Sequence, residues 1–214
     1  MKIIDLTQTL GLGVRGYSSE PALTIAQGGW NASTLKIYSH SATHIDAKPH
    51  FNLGNSGIDQ IPVENFVADC WIIELTGIAP KTLIKSHDLG KIKDKVSPGD
   101  GLLFKTNWGK YIGNPEIYRN ALPGLSEELV MWCISAKIRL IGVEAPSVSD
   151  VNNITELTHI HTLLLKAGIT VVEGLINLDK ITSEKVRFIA LPLKIENGDG
   201  APCRAIAIES DNVI

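Results

Sequence analysis

The chain has little of what marks several common protein classes. It has three cysteines in 214 residues, and no two of them form a CxxC pair. An odd number of widely spaced cysteines in apolar surroundings predicts buried free thiols instead of a disulfide framework. Charged residues make up 20% of the chain and the formal net charge is −3. So small a net charge argues against binding to nucleic acid through charge.

Long hydrophobic runs are also missing. Polar residues interrupt the apolar segments WIIEL, LIGV and FIALPL, whereas a membrane-spanning helix needs roughly 18 or more consecutive apolar residues. The first residues, MKIIDLTQTL, contain Asp5 and other polar side chains where a secretory signal would be apolar. We therefore expect a cytoplasmic protein without membrane spans. The 44% apolar content is sufficient for one compact domain over residues 1–214.

Sequence motifs for several enzyme classes are absent. A dinucleotide-binding fold would need GxGxxG directly after a strand, and a nucleotide hydrolase would need GxxxxGK[ST]. Neither arrangement is found among the predicted elements, so we expect neither function. His40 and His44 are four residues apart, but the residues between them are SAT, so the metalloprotease pattern HExxH fails. A GxSxG nucleophile elbow is missing as well.

Short runs rich in β-branched residues predict roughly eight strands, with fewer helices between them. One helix is predicted over 126–137, with Ser126 as its N-cap and two glutamates in its first turn. A second, over 155–167, ends at Gly168 and lies between two predicted strands, which indicates a crossover unit. This irregular alternation favours a mixed α/β domain over a regular doubly wound sheet. The predicted strands cover residues 2–6, 35–38, 71–75, 102–105, 139–143, 170–172, 188–194 and 204–208.

Histidines are concentrated in one short segment. Three of the six fall within eleven residues, in the stretch HSATHIDAKPHF that begins at His40. His40, His44 and Asp46 offer two nitrogens and one oxygen, a ligand set that suits Zn, Mn or Fe(II). Their spacing predicts a strand end that turns into a loop or helix. His50 is a further polar group beside this open site, in a position that suits a general acid or base.

A second pair, His161 and Glu173, is separated by a predicted helix, the Gly168 turn and a strand. His161 lies about 10 Å before the turn and Glu173 about 16 Å after it, so the two side chains can lie at a similar height above the turn. They could complete the site, which would hold one well-coordinated ion or two ions bridged by Asp46.

Aromatic residues near these segments are candidates for the walls of a substrate pocket. Trp30, Phe51 and Trp108 are the three candidates, although aromatic side chains more often belong to the core. His87 and His159 are isolated, and we expect them to be ordinary packed or surface histidines.

The histidine-rich segment resembles the signature HxGTHxDxPxHF of the cyclase family of metal-dependent hydrolases, which includes bacterial kynurenine formamidases and isatin hydrolases. Residues 145–147 (APS) are similar to the TPS loop of that family, and residues 161–173 are similar to its HxxLLxxxIxxxE segment. The stretch GDGAPCRAIAI from Gly198 resembles the ending GxDGxPxRAxAI. The resemblance covers nearly the whole chain. Ala42 stands where the family has glycine, and Pro49 lies one place later than the proline of the family pattern.

The resemblance implies an α/β fold of the swivelling β/β/α type, with a mixed sheet in a single compact domain. It implies a homodimer or homotetramer with active sites near the subunit contacts, and Zn or Mn as the metal. It makes His50 the catalytic acid and base. The implied ligands are His40, His44 and Asp46 for one ion, and His161 and Glu173, together with Asp46, for a second.

Three functional hypotheses follow. The leading one is a metal-dependent hydrolase of a small amide, formamide or cyclic amide, similar to an arylformamidase, in which a metal-activated water attacks the carbonyl group. N-formylkynurenine is the first substrate that the resemblance suggests. The alternatives are a mononuclear Fe(II) oxygenase, because two histidines and a carboxylate form its facial triad, and a non-catalytic protein that binds a small ligand through a metal.

Overall fold

The computed structural model describes residues 1–11 and 13–209, and these residues form twelve strands and four α-helices. The helices are α1 (Ile25–Gly28), α2 (Pro115–Tyr118), α3 (Glu127–Ser135) and α4 (Ile154–Lys166). The strands are β1 (Lys2–Asp5), β2 (Tyr17–Leu23), β3 (Ala32–Ile37), β4 (His44–Asp46), β5 (Val67–Glu74), β6 (Leu83–Ile84), β7 (Gly101–Lys105), β8 (Gly124–Leu125), β9 (Leu140–Val143), β10 (Thr170–Glu173), β11 (Lys185–Pro192) and β12 (Gly200–Glu209).

Eight strands form one mixed sheet in the order β1-β12-β11-β5-β7-β9-β10-β4. β4 pairs with β10 on one side and with β12 on the other, so the sheet closes on itself like a barrel and β1 remains outside the ring. β5, β7, β9 and β10 are parallel neighbours, and the remaining pairs in this sheet are antiparallel. This closed mixed sheet confirms the predicted α/β class.

The side chains of the central strands alternate between two apolar clusters. Leu103 belongs to the cluster enclosed by the closed sheet, to which all seven strands of the ring contribute. Leu102 and Phe104, its neighbours along β7, belong to the cluster between the sheet and helices α3 and α4. This is the period-two alternation of a strand that is buried on both faces. The three cysteines are buried and free, as predicted.

The predicted elements are all present. Each of the eight predicted strands overlaps an observed strand, and the two predicted helices correspond to α3 and α4. α4 starts slightly earlier than predicted because Asn153 is its N-cap and accepts a hydrogen bond from the Glu156 N–H. β9, α4 and β10 form the predicted crossover, with β9 and β10 parallel. The strand end predicted around His44 and Asp46 is β4, and the 3₁₀ turn Lys48–Phe51 follows it. The prediction missed β6 and β8, which are two residues long, and the exposed β2.

A glycine-rich segment before β2 matches a known sequence motif. Residues 11–16 are GLGVRG and match the GxGxxG pattern, but the last glycine of the match, Gly16, is followed directly by β2 and not by a helix. A dinucleotide fingerprint needs a helix directly after its glycines, so this match is not such a fingerprint.

No helix in the described part of the chain is long and apolar enough to span a bilayer.

β2 and β3 form a hairpin that pairs with no other described strand. Nearly all of its residues are exposed, and the connection between its strands contains α1. Ile25, Trp30 and Leu35 are 64%, 63% and 53% exposed. The hairpin therefore carries apolar side chains that are exposed on the surface of the chain.

Glu209, at the end of β12, links three segments of the fold. Its Oε1 accepts hydrogen bonds from the N–H groups of Thr182 and Ser183, at 2.6 and 2.8 Å, and its Oε2 pairs with Lys2 Nζ at 2.9 Å. Burial alone would raise the pKa of Glu209, but these partners outweigh that effect and lower the pKa to about 2. The folded pKa thus lies below the unfolded value of 4.5. The charged group stabilises the fold above the unfolded pKa, and this contribution is lost as the pH falls from there through about 2.

Replacing Glu209 by glutamine is expected to lower the free energy of unfolding by about 1–3 kcal/mol near neutral pH, because hydrogen bonds to a charged acceptor are lost. Urea denaturation near neutral pH and again at about pH 3 measures this, and the difference from wild type should shrink at the lower pH. The control is Glu184→Gln, because the Glu184 side chain is 72% exposed and forms a surface ion pair with Lys95. Equal destabilisation by the two variants would contradict the role of Glu209.

Candidate functional site

Four buried ionisable side chains meet where β4, β10 and α4 converge. His44 and Asp46 lie at alternate positions of β4, so both project from the same face of the strand. His44 is the register partner of Glu173 at the end of β10, and α4 brings His161 to the same place. None of the four residues is more than 4% exposed. The structure therefore brings together two residue pairs that are more than a hundred positions apart in the sequence.

The two carboxylates are each faced by two imidazoles. His44 Nε2 lies 3.3 Å from Glu173 Oε2 and 3.7 Å from Asp46 Oδ1. His161 Nε2 lies 3.2 Å from Glu173 Oε1 and 3.5 Å from Asp46 Oδ2. His44, Asp46 and Glu173 each offer one ligand atom, and these atoms lie within 4.8 Å of one another. A single ion could contact all three.

Backbone carbonyl groups fix the orientation of the His44 and His161 rings. His44 Nδ1 lies 2.9 Å from the Ala42 carbonyl oxygen, and His161 Nδ1 lies 2.7 Å from that of Leu157. A carbonyl oxygen only accepts, so both Nδ1 atoms donate, and in the neutral ring Nε2 then directs a lone pair at the carboxylates. The lone pair of Nε2 and the lone pairs of the carboxylate oxygen repel each other unless a proton or a cation lies between them. Histidines held in this way are typical metal ligands, and the donor set fits a divalent cation.

The charges in the cluster follow from these contacts. Burial alone would lower the pKa of His44, but Glu173 and Asp46 raise it to about 9. The pKa of His161 is raised by the same two carboxylates against the effect of burial. Burial would raise the pKa of Asp46, but the surrounding histidines, His40 foremost, hold it well below the usual range. Carboxylates that keep their charge beside imidazoles that retain protons form a site in which a divalent cation can replace the protons.

His40 lies on the open side of this cluster. Its Nδ1 is 2.8 Å from Asp46 Oδ1, and its Nε2 is 3.3 Å from Asp199 Oδ2. Its ring is stacked on the ring of His50, with the centroids 3.8 Å apart. His40, Asp46 and His50 form a second group whose ligand atoms lie within 4.8 Å of one another. Asp46 thus belongs to both groups.

His50 lies on the 3₁₀ turn Lys48–Phe51 directly after β4. Its side chain is 29% exposed, and Nδ1 is 3.7 Å from Asp199 Oδ2. Burial is the largest influence on His50 and lowers its pKa, although Asp46 and Asp199 act in the opposite direction. The ring is therefore placed between the buried cluster and the solvent.

Asp199 is a site residue that the sequence analysis did not identify. It contacts both His40 and His50, and the Gly200 that follows it is the register partner of Asp46. A Cβ on Gly200 would lie 2.7 Å from His40 Cε1, so only glycine fits there without displacing the ring. The GDG stretch was recognised as a family-like ending, but nothing in its local sequence indicates contact with histidines about 150 positions earlier.

A family model described as "Putative cyclase" matches residues 4–150 of the chain. This chain belongs to the cyclase family. The match covers more than half of the chain and includes His40, His44, Asp46 and His50, while His161 lies beyond it.

Relatives within the cyclase family cover nearly the whole chain. The chain is 33% identical over 214 residues to the kynurenine formamidase of Bacillus thuringiensis (strain Al Hakam), covering 95% of both chains. It is 31% identical over 176 residues to the kynurenine formamidase of Salinibacter ruber, covering 82% of this chain and 79% of that one. Among solved structures, isatin hydrolase A from Ralstonia solanacearum is 26% identical with a TM-score of 0.84, covering 96% of this chain and 91% of that one. These likenesses confirm the predicted family and fold.

One of the two departures from the cyclase-family pattern affects the backbone of the ligand segment. Ala42, where the family pattern has glycine, has a φ of +54°, in the left-handed region that costs a non-glycine residue roughly 1–2 kcal/mol. Its carbonyl group packs closely on Gly174, where a Cβ would lie 2.4 Å from the Ala42 oxygen. Thr43 Oγ1 also donates to the Gly174 carbonyl at 2.7 Å. These contacts hold the segment before β4 against the end of β10.

The three aromatic candidates have different positions in this cyclase-family fold. Phe51 lines the cavity over the cluster and stacks on His161, with ring centroids 4.6 Å apart. Trp108 is only 1% exposed, because it belongs to a separate apolar cluster, and its Nε1 donates to the Tyr118 carbonyl group. Trp30 lies on the exposed hairpin. Neither tryptophan is among the described residues that line the two cavities at the site.

Two adjoining cavities open onto the cluster. One, of about 220 Å³, contains the histidines and carboxylates described above together with Phe51. The other, of about 490 Å³, has Gln8 and Tyr118 among its lining residues. We call the cavity that contains the buried cluster the inner cavity and the larger one the outer cavity. The residues that line both cavities are Arg15, His40, His44, Arg119 and Pro146. The buried cluster therefore faces a space large enough for a small organic molecule.

Proposed function

We propose that this protein is a metal-dependent hydrolase of a small amide, formamide or cyclic amide that acts on non-peptide C–N bonds. The observation that carries the proposal is the buried cluster of histidines and carboxylates, which opens into a cavity of small-molecule size. The relatives named kynurenine formamidase and isatin hydrolase support the same reaction class. N-formylkynurenine is the first candidate substrate.

The proposed metal is Zn or Mn, with one or two ions per chain. Imidazole and carboxylate ligands suit both metals. Support comes from the Nε2 atoms of His44 and His161, which face carboxylate oxygens at 3.2–3.7 Å while their Nδ1 atoms donate to the backbone. A bound divalent cation would lower the pKa of a water ligand and polarise the amide carbonyl group. The proposed ligands are His40, His44, Asp46, His161 and Glu173.

His50 is the proposed general base and acid. Its imidazole lies at the opening of the cluster, and its lowered pKa keeps the ring neutral, and so able to accept a proton, near neutral pH. It would take the proton of the attacking water and pass it to the nitrogen that leaves. Asp199, 3.7 Å from Nδ1, would hold the ring in position and stabilise its protonated form.

The two alternative functions are less well supported. The relatives are named as hydrolases and not as oxygenases or binding proteins. A facial triad needs two histidines and one carboxylate, whereas this site assembles three histidines and two carboxylates beside His50.

A homodimer or homotetramer is the proposed assembly. The hairpin of β2 and β3 carries exposed Ile25, Trp30 and Leu35, and a second copy of the chain could cover them. A cytoplasmic location is proposed because the three cysteines are free and buried, as is usual in a reducing compartment.

The reaction is tested by following hydrolysis of N-formylkynurenine and of isatin by the purified protein without oxygen. We expect hydrolysis of at least one of them, loss of it on treatment with a chelator, and recovery when Zn²⁺ or Mn²⁺ is added back. Turnover that required O₂ would indicate the oxygenase instead. No turnover of either compound with either metal would contradict the proposed reaction on these substrates.

A further inference from the structure

Two arginines at the site have no acidic partner. Arg15 and Arg119 line both cavities. Among residues 1–11 and 13–209, none forms an ion pair with either side chain or accepts a hydrogen bond from either guanidinium group. The other three arginines do have acceptors, as in the bidentate pair of Arg204 with Asp5. The two cavity arginines are therefore free to bind a ligand.

The backbone of each arginine is held in place. The Arg15 carbonyl group accepts a hydrogen bond from Ser41 Oγ at 2.8 Å, which ties this loop to the segment before β4. The Arg15 guanidinium lies 5.4 Å from the centre of the Tyr38 ring, and that ring lies 5.6 Å from His40. Arg119 ends α2, with its N–H donating to the Pro115 carbonyl at 3.0 Å. Both side chains thus extend from anchored positions beside the histidine cluster.

The two cavities share Arg15 and Arg119 but differ in their acidic residues. Asp46 and Glu173 are the acidic residues among the described lining of the inner cavity, and histidines surround both of them. The described lining of the outer cavity contains no acidic residue, and apart from His40 and His44 its basic residues are Arg15 and Arg119. Burial and the nearby Arg15 both lower the pKa of Arg119, so the two cations are close enough to repel each other. An anion bound between them would relieve that repulsion.

We propose that Arg15 and Arg119 form a subsite for a carboxylate group that the substrate carries in addition to the amide that is cleaved. This inference rests on the proposed function and narrows its substrate class to amides with a carboxylate. The planar guanidinium group matches a carboxylate through paired hydrogen bonds, and such charge-assisted bonds are among the stronger ones in proteins. The 490 Å³ outer cavity gives room for the body of such a substrate.

Two formamides that differ only in a carboxylate provide the test, namely N-formylanthranilate and formanilide. The measured quantity is the preference, the kcat/KM for N-formylanthranilate divided by that for formanilide. We expect wild type to prefer the charged compound and Arg119→Gln to lower the preference by roughly 10–100-fold, because charge-assisted hydrogen bonds are lost. Arg15→Gln should lower it in the same direction, and Arg119→Lys should retain part of it.

Lys110→Gln is the matched control, because Lys110 lies near the site, packs over the ring of Tyr111 and is not among the residues that line either cavity. It removes one positive charge and should leave the preference unchanged. A preference that is the same in wild type, Arg119→Gln and Arg15→Gln would overturn the subsite. So would an equal loss of kcat/KM on both compounds, which would indicate a role in the reaction itself or in folding.

Failure of the proposed reaction is distinguishable from failure of the subsite. If wild type hydrolyses neither formamide, calorimetric titration with anthranilate still measures carboxylate binding. Binding at least about tenfold weaker in Arg119→Gln than in Lys110→Gln would support the subsite. Equal binding by the two variants would overturn it.

Discussion

Replacing His50 by alanine is expected to lower kcat by roughly 10²–10⁴-fold, the usual contribution of a general acid and base. The metal content per chain should remain that of wild type, because the Nε2 atoms of His44 and His161 and the carboxylates that they face are untouched. Steady-state kinetics and elemental analysis of the same sample measure both effects. His50 stacks on His40, so a thermal melt is needed to show that the variant remains folded.

The matched control for His50 is His159→Ala, since His159 is an exposed histidine on α4 that contacts Glu127 and lies outside the site. It should keep both metal and activity. Full activity in His50→Ala would show that His50 does not transfer the proton. Loss of metal together with activity would make His50 a ligand, as its place in the group with His40 and Asp46 would allow.

Replacing Asp46 by asparagine is expected to remove most of the bound metal and with it the hydrolase activity. Asp46 lies 2.8 Å from His40, 3.7 Å from His44 and 3.5 Å from His161, and among the described residues it alone pairs with all three of these imidazoles. Changes in residues that only support a ligand typically reduce metal affinity about 10–100-fold. A shared ligand should therefore cost more than about 100-fold, as measured by competition with a metal-binding dye.

Asp69→Asn is the control for this substitution, because Asp69 is an exposed carboxylate on β5 that pairs with Arg187 outside the site. The metal affinity of the Asp69→Asn variant should equal that of wild type. Asp46→Asn also leaves buried histidines without their carboxylate, so its melting temperature must be compared in the presence and absence of metal. Wild-type metal affinity in Asp46→Asn would contradict the shared-ligand role.

The central elements of the fold could be predicted because their local patterns are strong. The strands from 102 to 105 and from 139 to 143 are apolar runs, and α3 and α4 begin at side chains that cap them. The short strands were not predictable in this way. β6 and β8 are two residues each, and they exist because the chain brings them side by side. β2 is polar and exposed and lacks the alternation that would mark it as a strand.

The inner part of the site was also accessible from the sequence. His40, His44 and Asp46 are neighbours along the chain, and simple lengths of helix and strand place His161 and Glu173 at the same level, where their side chains lie 3.2 Å apart. The other residues of the site could not be predicted from the sequence. Asp199 reaches the histidines through the pairing of β12 with β4. Arg15 and Arg119 line the same cavity from the segment before β2 and from the end of α2, and such placement depends on tertiary packing.

The measurement that tests the central claim most directly is elemental analysis of purified wild type and His44→Ala, with amide hydrolysis followed on the same samples. His87→Ala is the control, since His87 is 75% exposed and lies outside the cluster. A metal-dependent hydrolase should contain about one or two equivalents of Zn or Mn in wild type and His87→Ala, and His44→Ala should lose both metal and hydrolysis. Hydrolysis that persists in His44→Ala, or in wild type that binds no metal even after reconstitution, would contradict the central claim.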